Sequence, residues 1–290
     1  MNWLEWNLWD WPFFDPRHHE LAERVIDWTA SNHHEDGGDL NTQCREIGRS
    51  LGKSGLLDVV VPREGEEFDV RALCVIREGL TYDHALADAI FAMQGIGTLA
   101  LQQHGTPAQK ERYLPGCRDG SRIAAFAVTE PEAGSDVASM ATTATRDGDG
   151  YVLNGEKTLI SNSNFADQFL VVARTGEAPG ARGLSAFIID RDTPGLIVGE
   201  AIDFIAEHPA GKLDFKDCRI PGDALVGEAG QGFKVAMGAF DIFRPSVGAA
   251  GVGLARRAMG EAVRRVSNRT LFGKSMADMQ TVQMMLADMA

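Results

Sequence analysis

The chain has 290 residues, 44% hydrophobic and 24% charged, which excludes a disordered polymer and supplies apolar side chains for about two domains. Its formal charge of −13 and pI near 5.0 repel phosphate backbones, which excludes a nucleic-acid binder but leaves room for a small phosphorylated ligand at a local basic cluster. Four cysteines (Cys44, Cys74, Cys117 and Cys218) show no metal-ligand spacing and read as reduced thiols of a cytoplasmic protein.

The opening run MNWLEWNLWDWPFF is aromatic and acidic, and lacks the basic flank and small-residue cleavage site of a secretory peptide. From His18 to about Gly116 the pattern is helical. Leu21, Val25 and Trp28 form one apolar stripe, and 70–80 repeats it with Leu73, Val75, Ile76 and Leu80. Residues 85–103 are apolar almost all round, which predicts a central buried helix. Thr106-Pro107-Ala108-Gln109 starts the next one, with Thr as N-cap and Pro in the first turn, leading to Tyr113-Leu114.

At Ile123 the period becomes that of strands: 123–129, 141–146, 151–160, 168–174, 184–190, 196–202 and 212–220. Turn signals divide them at Asp147-Gly148-Asp149-Gly150, Asn154-Gly155, Gly180 and Pro194-Gly195. Seven strands so spaced predict an antiparallel β-barrel or sandwich.

The helical period returns at Gly232, with helices predicted over 233–243, 247–267 and 276–289. The longest apolar stretch, 245–255, is too short to span a bilayer and runs into Arg256 and Arg257. Met279, Val282, Gln283, Leu286 and Met289 make a stripe without a stop signal after it, so the sequence is expected to end inside a helical bundle. The predicted fold class is α+β: a helical domain over 1–119, a β domain over 120–228 and the first bundle helices over 229–290.

The chemistry centres on Phe126-Ala127-Val128-Thr129-Glu130-Pro131-Glu132-Ala133-Gly134-Ser135-Asp136. A strand exit followed by Gly and Ser can offer free backbone N–H groups to a planar ring or a diphosphate. It can equally be a plain β-to-β loop closed by an Asx-turn at Asp136.

Thr129-Glu130-x-x-Ala133-Gly134-Ser135-Asp136 resembles the signature of the acyl-CoA dehydrogenases, whose domains run helical, β-barrel, helical bundle. The resemblance extends to Tyr113-Leu114-Pro115, to Tyr151-x-Leu153-Asn154-Gly155-x-Lys157-x-x-Ile160-Ser161-Asn162, and to Phe215-x-Asp217-Cys218-x-Ile220-Pro221. Gly230-x-Gly232-Phe233 and Arg269-x-x-Phe272-Gly273-Lys274, with Gln280 after it, continue it in register.

What the resemblance implies is FAD as cofactor. Phe126, Val128, Thr129, Gly134 and Ser135 would contact the flavin, Leu159 would stand beside it where many relatives carry Trp, and Ser161 would lie near N5. Arg269, Phe272 and Gln280 would reach the adenosine and diphosphate of FAD in a neighbouring subunit of a homodimer or homotetramer. Ser135, Phe240, Asp241 and Arg244 would contact the CoA part of an acyl-CoA substrate, with Ala92, Met93 and Gly95 at the base of its pocket. The implied reaction takes a proton from Cα and a hydride from Cβ to flavin N5, and passes electrons to an electron-transfer flavoprotein or similar acceptor.

That reaction requires a carboxylate base. One family position lies in a late bundle loop, expected beyond Ala290; the other is held here by Phe243, which accepts no proton. Three alternatives come into question: a flavin oxidase or monooxygenase of the same fold, a non-catalytic subunit, and a nicotinamide enzyme hinted at by Gly251-x-Gly253. The last fails, because no strand precedes that pair and Arg256 stands where the third Gly is needed.

Overall fold

The computed structural model describes residues 11–32 and 38–290, so most of the aromatic opening run lies outside the described residues. Helices come first: α1 (Pro16–Ser31), α2 (Leu40–Lys53), α3 (Val70–Asp83), α4 (Ala85–His104) and α5 (Pro107–Arg118). Eight strands follow: β1 (Ala124–Ala127), β2 (Thr143–Asp147), β3 (Gly150–Ser161), β4 (Gln168–Arg174), β5 (Leu184–Asp190), β6 (Leu196–Ala201), β7 (Ala210–Ile220) and β8 (Leu225–Val226). The chain then forms α6 (Gly232–Asn268), a small hairpin of β9 (Thr270–Leu271) and β10 (Lys274–Ser275), and α7 (Gln280–Met289). Helices therefore flank a β domain on both sides in sequence, the predicted class.

Contacts divide the chain into two compact units, one comprising Glu35–Val70 and Ala89–Arg244, the other Met1–His34, Arg71–Asp88 and Pro245–Ala290.

In the first unit the strands form one sheet in the order β6-β7-β3-β2-β4-β5-β8, with β1 added alongside β4. The β1–β4 and β2–β4 pairings are parallel and the rest antiparallel. The Asp147–Gly150 signal produces a two-residue hairpin in which Asp147 faces Gly150 and Gly148 has φ 58°, as a turn with a left-handed first position requires. Asn154-Gly155, read from sequence as a divider, is instead a bulge inside β3: Gly155 has φ 143° and the register against β7 shifts there. β4 and β5 are buried almost throughout, with Phe169, Leu170, Val171, Phe187 and Ile189 in the core.

Helices close the unit through polar side chains that satisfy buried backbone. The Gln94 amide donates to the carbonyls of Cys117 (2.9 Å) and Arg122 (2.8 Å) while its oxygen accepts from Ala124 N–H at 2.7 Å, tying α4 to α5 and β1. Thr106 and Gln109 form the reciprocal capping box of α5, and Gln109 also donates to the carbonyls of Asp223 and Leu225. Arg45 pairs with Asp167 at 2.8 Å, and Asp167 accepts the Ile123 N–H, which sets where β1 starts.

In the second unit α1, α3 and the later part of α6 pack through small residues and buried ions. A Cβ at Gly253 would lie 2.2 Å from the Glu78 carbonyl, so Gly251-x-Gly253 is a close helix contact and not a nucleotide loop. Arg77 grips Asp88 with two bonds of 2.8 Å and donates to Ser246 Oγ at 3.0 Å, all buried.

Sequence separates 233–243 from 247–267, but the two form one helix that runs through Pro245. Proline removes one helical bond; just after it, Ser246 and Ala250 are anchored to Arg77 and Thr81 of α3. The predicted helix at Met276 begins later, at Gln280, because 276–278 form a 3-10 turn. No residue of α7 is buried. Among the described residues α4 is the one helix long and apolar enough to cross a membrane, and Ile90, Phe91, Leu99 and Leu101 on it are fully or almost fully buried.

Candidate functional site

At the end of β1 the chain makes a tight turn: Glu130 N–H donates to Ala133 O at 3.0 Å and Ala133 N–H returns to Glu130 O at 3.2 Å. Beneath it the Glu130 carboxylate is buried and accepts from Lys157 Nζ (2.8 Å), Ala141 N–H (2.6 Å) and Thr142 N–H (3.0 Å). Lys157 is wholly buried and also donates to Val128 O at 3.0 Å. Burial pulls the Lys157 ammonium down to about 8 against the support of Glu130. Burial tends to raise Glu130, but Lys157, Thr142 and Ala141 together hold it below the usual carboxylate value.

This anchoring leaves Gly134 and Ser135 exposed on the outer side of the turn. Their backbone N–H groups find no acceptor among the described residues, and a Cβ at Gly134 would meet nothing within 4 Å. Asp136 does not close an Asx-turn; its carboxylate takes the Ser139 hydroxyl.

The turn and the end of β3 share one edge. Thr158 N–H donates to Thr129 O at 2.9 Å, and next to it Leu159 has φ 57° and is 52% exposed. A bulky residue in left-handed backbone is a strained outlier of the kind found at ligand sites. Ser161 follows, half-buried, with Oγ 2.8 Å from His208 Nε2. Phe126 meets Phe240 of α6 edge-on at 5.6 Å, and the Arg244 guanidinium lies 5.2 Å from the same Phe240 ring. Arg244 also pairs with Asp241 at 3.6 Å. Val128 is buried behind the turn.

Phe243, in the slot read as the alternative base position, is 1% exposed and packs on Phe68 with ring centres 5.7 Å apart. Gly95 makes room for it: a Cβ there would come within 2.3 Å of Phe243 Cζ. Gly95 and Ala92 are buried, and Met93 is half-buried. A separate cavity of about 650 Å³ is lined by Phe68, Leu99, Gln102, Leu114 and Arg118 among others, and by none of the candidate ligand residues.

Arg269, Phe272 and Gln280 belong to the other unit. Phe272 is at the tip of the β9–β10 hairpin with φ 52°, 96% exposed, followed by Gly273 at φ 76°. Two successive positive φ values make the tight turn whose twist suits a hairpin, and they place the ring outward. Arg269 and Gln280 are exposed on either side of it in sequence.

Two functional groups escaped the sequence. Lys157 stands within the Tyr151–Asn162 motif with no role of its own in sequence, although its place six and four residues after Tyr151 and Leu153 puts it on the inward face of β3, where a cation calls for a partner. His208 gave no signal, because only the β3–β7 register brings it to Ser161.

Sequence comparison finds the N-terminal, middle and C-terminal domains of acyl-CoA dehydrogenases at residues 16–121, 125–218 and 230–290. The probable acyl-CoA dehydrogenase FadE25 of Mycobacterium leprae is 36% identical over 291 residues, covering 96% of this chain and 75% of that protein. This chain belongs to the acyl-CoA dehydrogenase family. The Mycobacterium tuberculosis FadE25 (strain ATCC 25618 / H37Rv) is 40% identical over 245 residues, and the match covers 83% of this chain but 63% of the relative's length. In three dimensions butyryl-CoA dehydrogenase from Megasphaera elsdenii matches with a TM-score of 0.84 at 28% identity, over 95% of this chain and 75% of that one.

The cofactor of the family is FAD, and the residues present fit it. Unclaimed amide donors at Gly134 and Ser135, an exposed apolar ledge at Leu159 and a hydroxyl at Ser161 suit a flat ring edged with acceptors. The Asn162 side-chain oxygen beside them is buried without a hydrogen-bond partner among the described residues.

Proposed function

We propose that this chain binds FAD and an acyl-CoA thioester and serves the α,β-dehydrogenation of the thioester, with electrons leaving to a separate acceptor such as an electron-transfer flavoprotein. The observation that carries the reading is the conjunction, along one sheet edge, of the open Gly134–Ser135 amides with Leu159 and Ser161. Bound FAD supplies the two-electron oxidant that takes hydrogen from Cβ.

This chain's residues supply placement. Phe126, Val128 and Thr129 would hold the flavin from the strand side, Gly134 and Ser135 would donate to it from the turn, Leu159 would offer it an apolar face, and Ser161 would supply a hydroxyl near N5. Phe240 and Arg244, with Asp241 fixing the guanidinium, present a ring and a cation to the CoA moiety. Arg269, Phe272 and Gln280 would serve the FAD of a neighbouring copy in a homodimer or homotetramer, where an Arg fork suits a diphosphate. Phe243 can neither accept nor deliver a proton, so the base is assigned to none of the residues described above.

The test is to purify the chain with FAD and titrate acyl-CoA without oxygen. Stoichiometric flavin that Gly134→Val fails to retain, with a visible spectrum perturbed by acyl-CoA, supports the reading. Failure to retain FAD rejects it, and peroxide formed under air in its place moves the assignment to a flavin oxidase.

A further inference from the structure

The β3–β7 ladder ends where the open edge begins. Ser161 pairs with Ala210, and Asn162 N–H donates to Pro209 O at 2.7 Å. Gly211 is pressed so tightly that a Cβ there would come within 2.8 Å of both Ser163 Oγ and Asn164 Oδ1. This register brings His208 to Ser161, with Nε2 2.8 Å from Oγ, and Phe204 steadies the imidazole edge-on at 5.5 Å.

Burial lowers the His208 pKa, which favours the neutral ring at neutral pH. A neutral imidazole has one nitrogen that donates and one that accepts, and either may be Nε2. Ser161 has a single hydroxyl proton. When Nε2 carries a proton it donates to Oγ, and the serine proton is left to face outward. When Nε2 is bare it accepts the serine proton, and a serine lone pair is left to face outward.

We propose that His208 is a positioning residue that sets the polarity of the Ser161 hydroxyl toward the flavin by exchanging between its two neutral tautomers. The inference rests on the flavin reading above. Oxidised flavin has an acceptor at N5 and reduced flavin a donor there, so a serine of fixed polarity would suit one state and oppose the other. In the exchange one ring nitrogen releases a proton to water and the other takes one from water, so the net charge does not change. The half-buried position of His208 leaves water that route.

Nitrogen NMR of the full-length, histidine-labelled chain with bound FAD tests this, before and after reduction by dithionite, with His208→Gln identifying the signal. The expected result is a neutral His208 in both states, with Nε2 protonated before reduction and bare after it. The same ring nitrogen protonated in both states, or a doubly protonated ring, overturns the inference while leaving the flavin reading intact. A chain that retains no FAD overturns both.

The flavin potential supplies a second measurement. His208→Gln, whose amide can turn to donate or accept, should hold the native value. His208→Phe should shift the reduction equilibrium about tenfold, ~30 mV for a two-electron couple. An unchanged potential in a flavin-loaded His208→Phe chain also rejects the role.

Discussion

The Lys157 ammonium lies 2.8 Å from the Glu130 carboxylate and 3.0 Å from the Val128 carbonyl, so one buried cation holds both flanks of Thr129, two residues past the end of β1. The exposed amides of Gly134 and Ser135 owe their fixed direction to this pair, since the four-residue turn has only two backbone bonds of its own.

Breaking the pair should therefore cost both fold and site. Lys157→Met leaves Glu130 buried without its counter-charge, and such losses cost about 3–5 kcal/mol. In a chain of this size that is a fall in Tm of roughly 10 °C, and flavin retention should fall with it. Thermal unfolding followed by circular dichroism checks the first and flavin absorbance the second. The acid limb has a defined sign: Glu130 is held below its ordinary 4.5, so its contribution is complete above that value and fades as pH drops through the lower folded value. Glu130→Gln should flatten that part of the stability curve.

Gly134→Val separates folding from binding. No heavy atom stands within 4 Å of the added Cβ and the backbone there is not left-handed, so stability should stay within about 0.5 kcal/mol of native. The added side chain would occupy the space claimed for the ring, so FAD affinity should drop at least tenfold. Urea unfolding and flavin titration on the same preparation read the two effects, and equal FAD affinity would remove Gly134 from the site.

Gly95→Ala should fail for a packing reason. Its methyl would sit 2.3 Å from Phe243 Cζ and 2.9 Å from Val60 Cβ, and overpacking of this kind costs about 1–3 kcal/mol. Phe243→Leu shortens the opposing side chain, so the double variant should recover part of the loss. A double-mutant cycle from chemical denaturation gives the coupling, and strict additivity would contradict the contact.

Phe272→Asn should strengthen the hairpin and weaken the ligand. Asn tolerates the left-handed backbone that Phe adopts at φ 52°, which relieves strain of about 1 kcal/mol. Phe272 is 96% exposed, so no core packing is lost. Higher thermal stability with lower FAD affinity is the expected pair of results; unchanged affinity would leave Phe272 outside the cofactor site.

Much of the fold was legible because side-chain period reports burial directly. The runs at 168–174 and 184–190 appear as β4 and β5 with the same limits, since short apolar stretches bounded by turn residues suit strands covered on both faces. Thr106-Pro107 marks the start of α5 for a local reason, the capping box. The division between 243 and 247 is not kept, for the opposite reason: the later part of α6 is anchored to Arg77 and Thr81, which lie more than a hundred residues earlier in the chain.

By itself the sequence determined the order of helices, sheet and helices, the turn at Gly134 and Ser135, and the family, because these rest on periods and motifs within a few residues of one another. Only the tertiary structure decided that Lys157 lies under that turn, that Phe243 fills the space above Gly95, and that His208 meets Ser161. Each of those contacts joins residues at least 27 positions apart in the chain, brought together by strand register or helix packing, which local side-chain pattern does not encode.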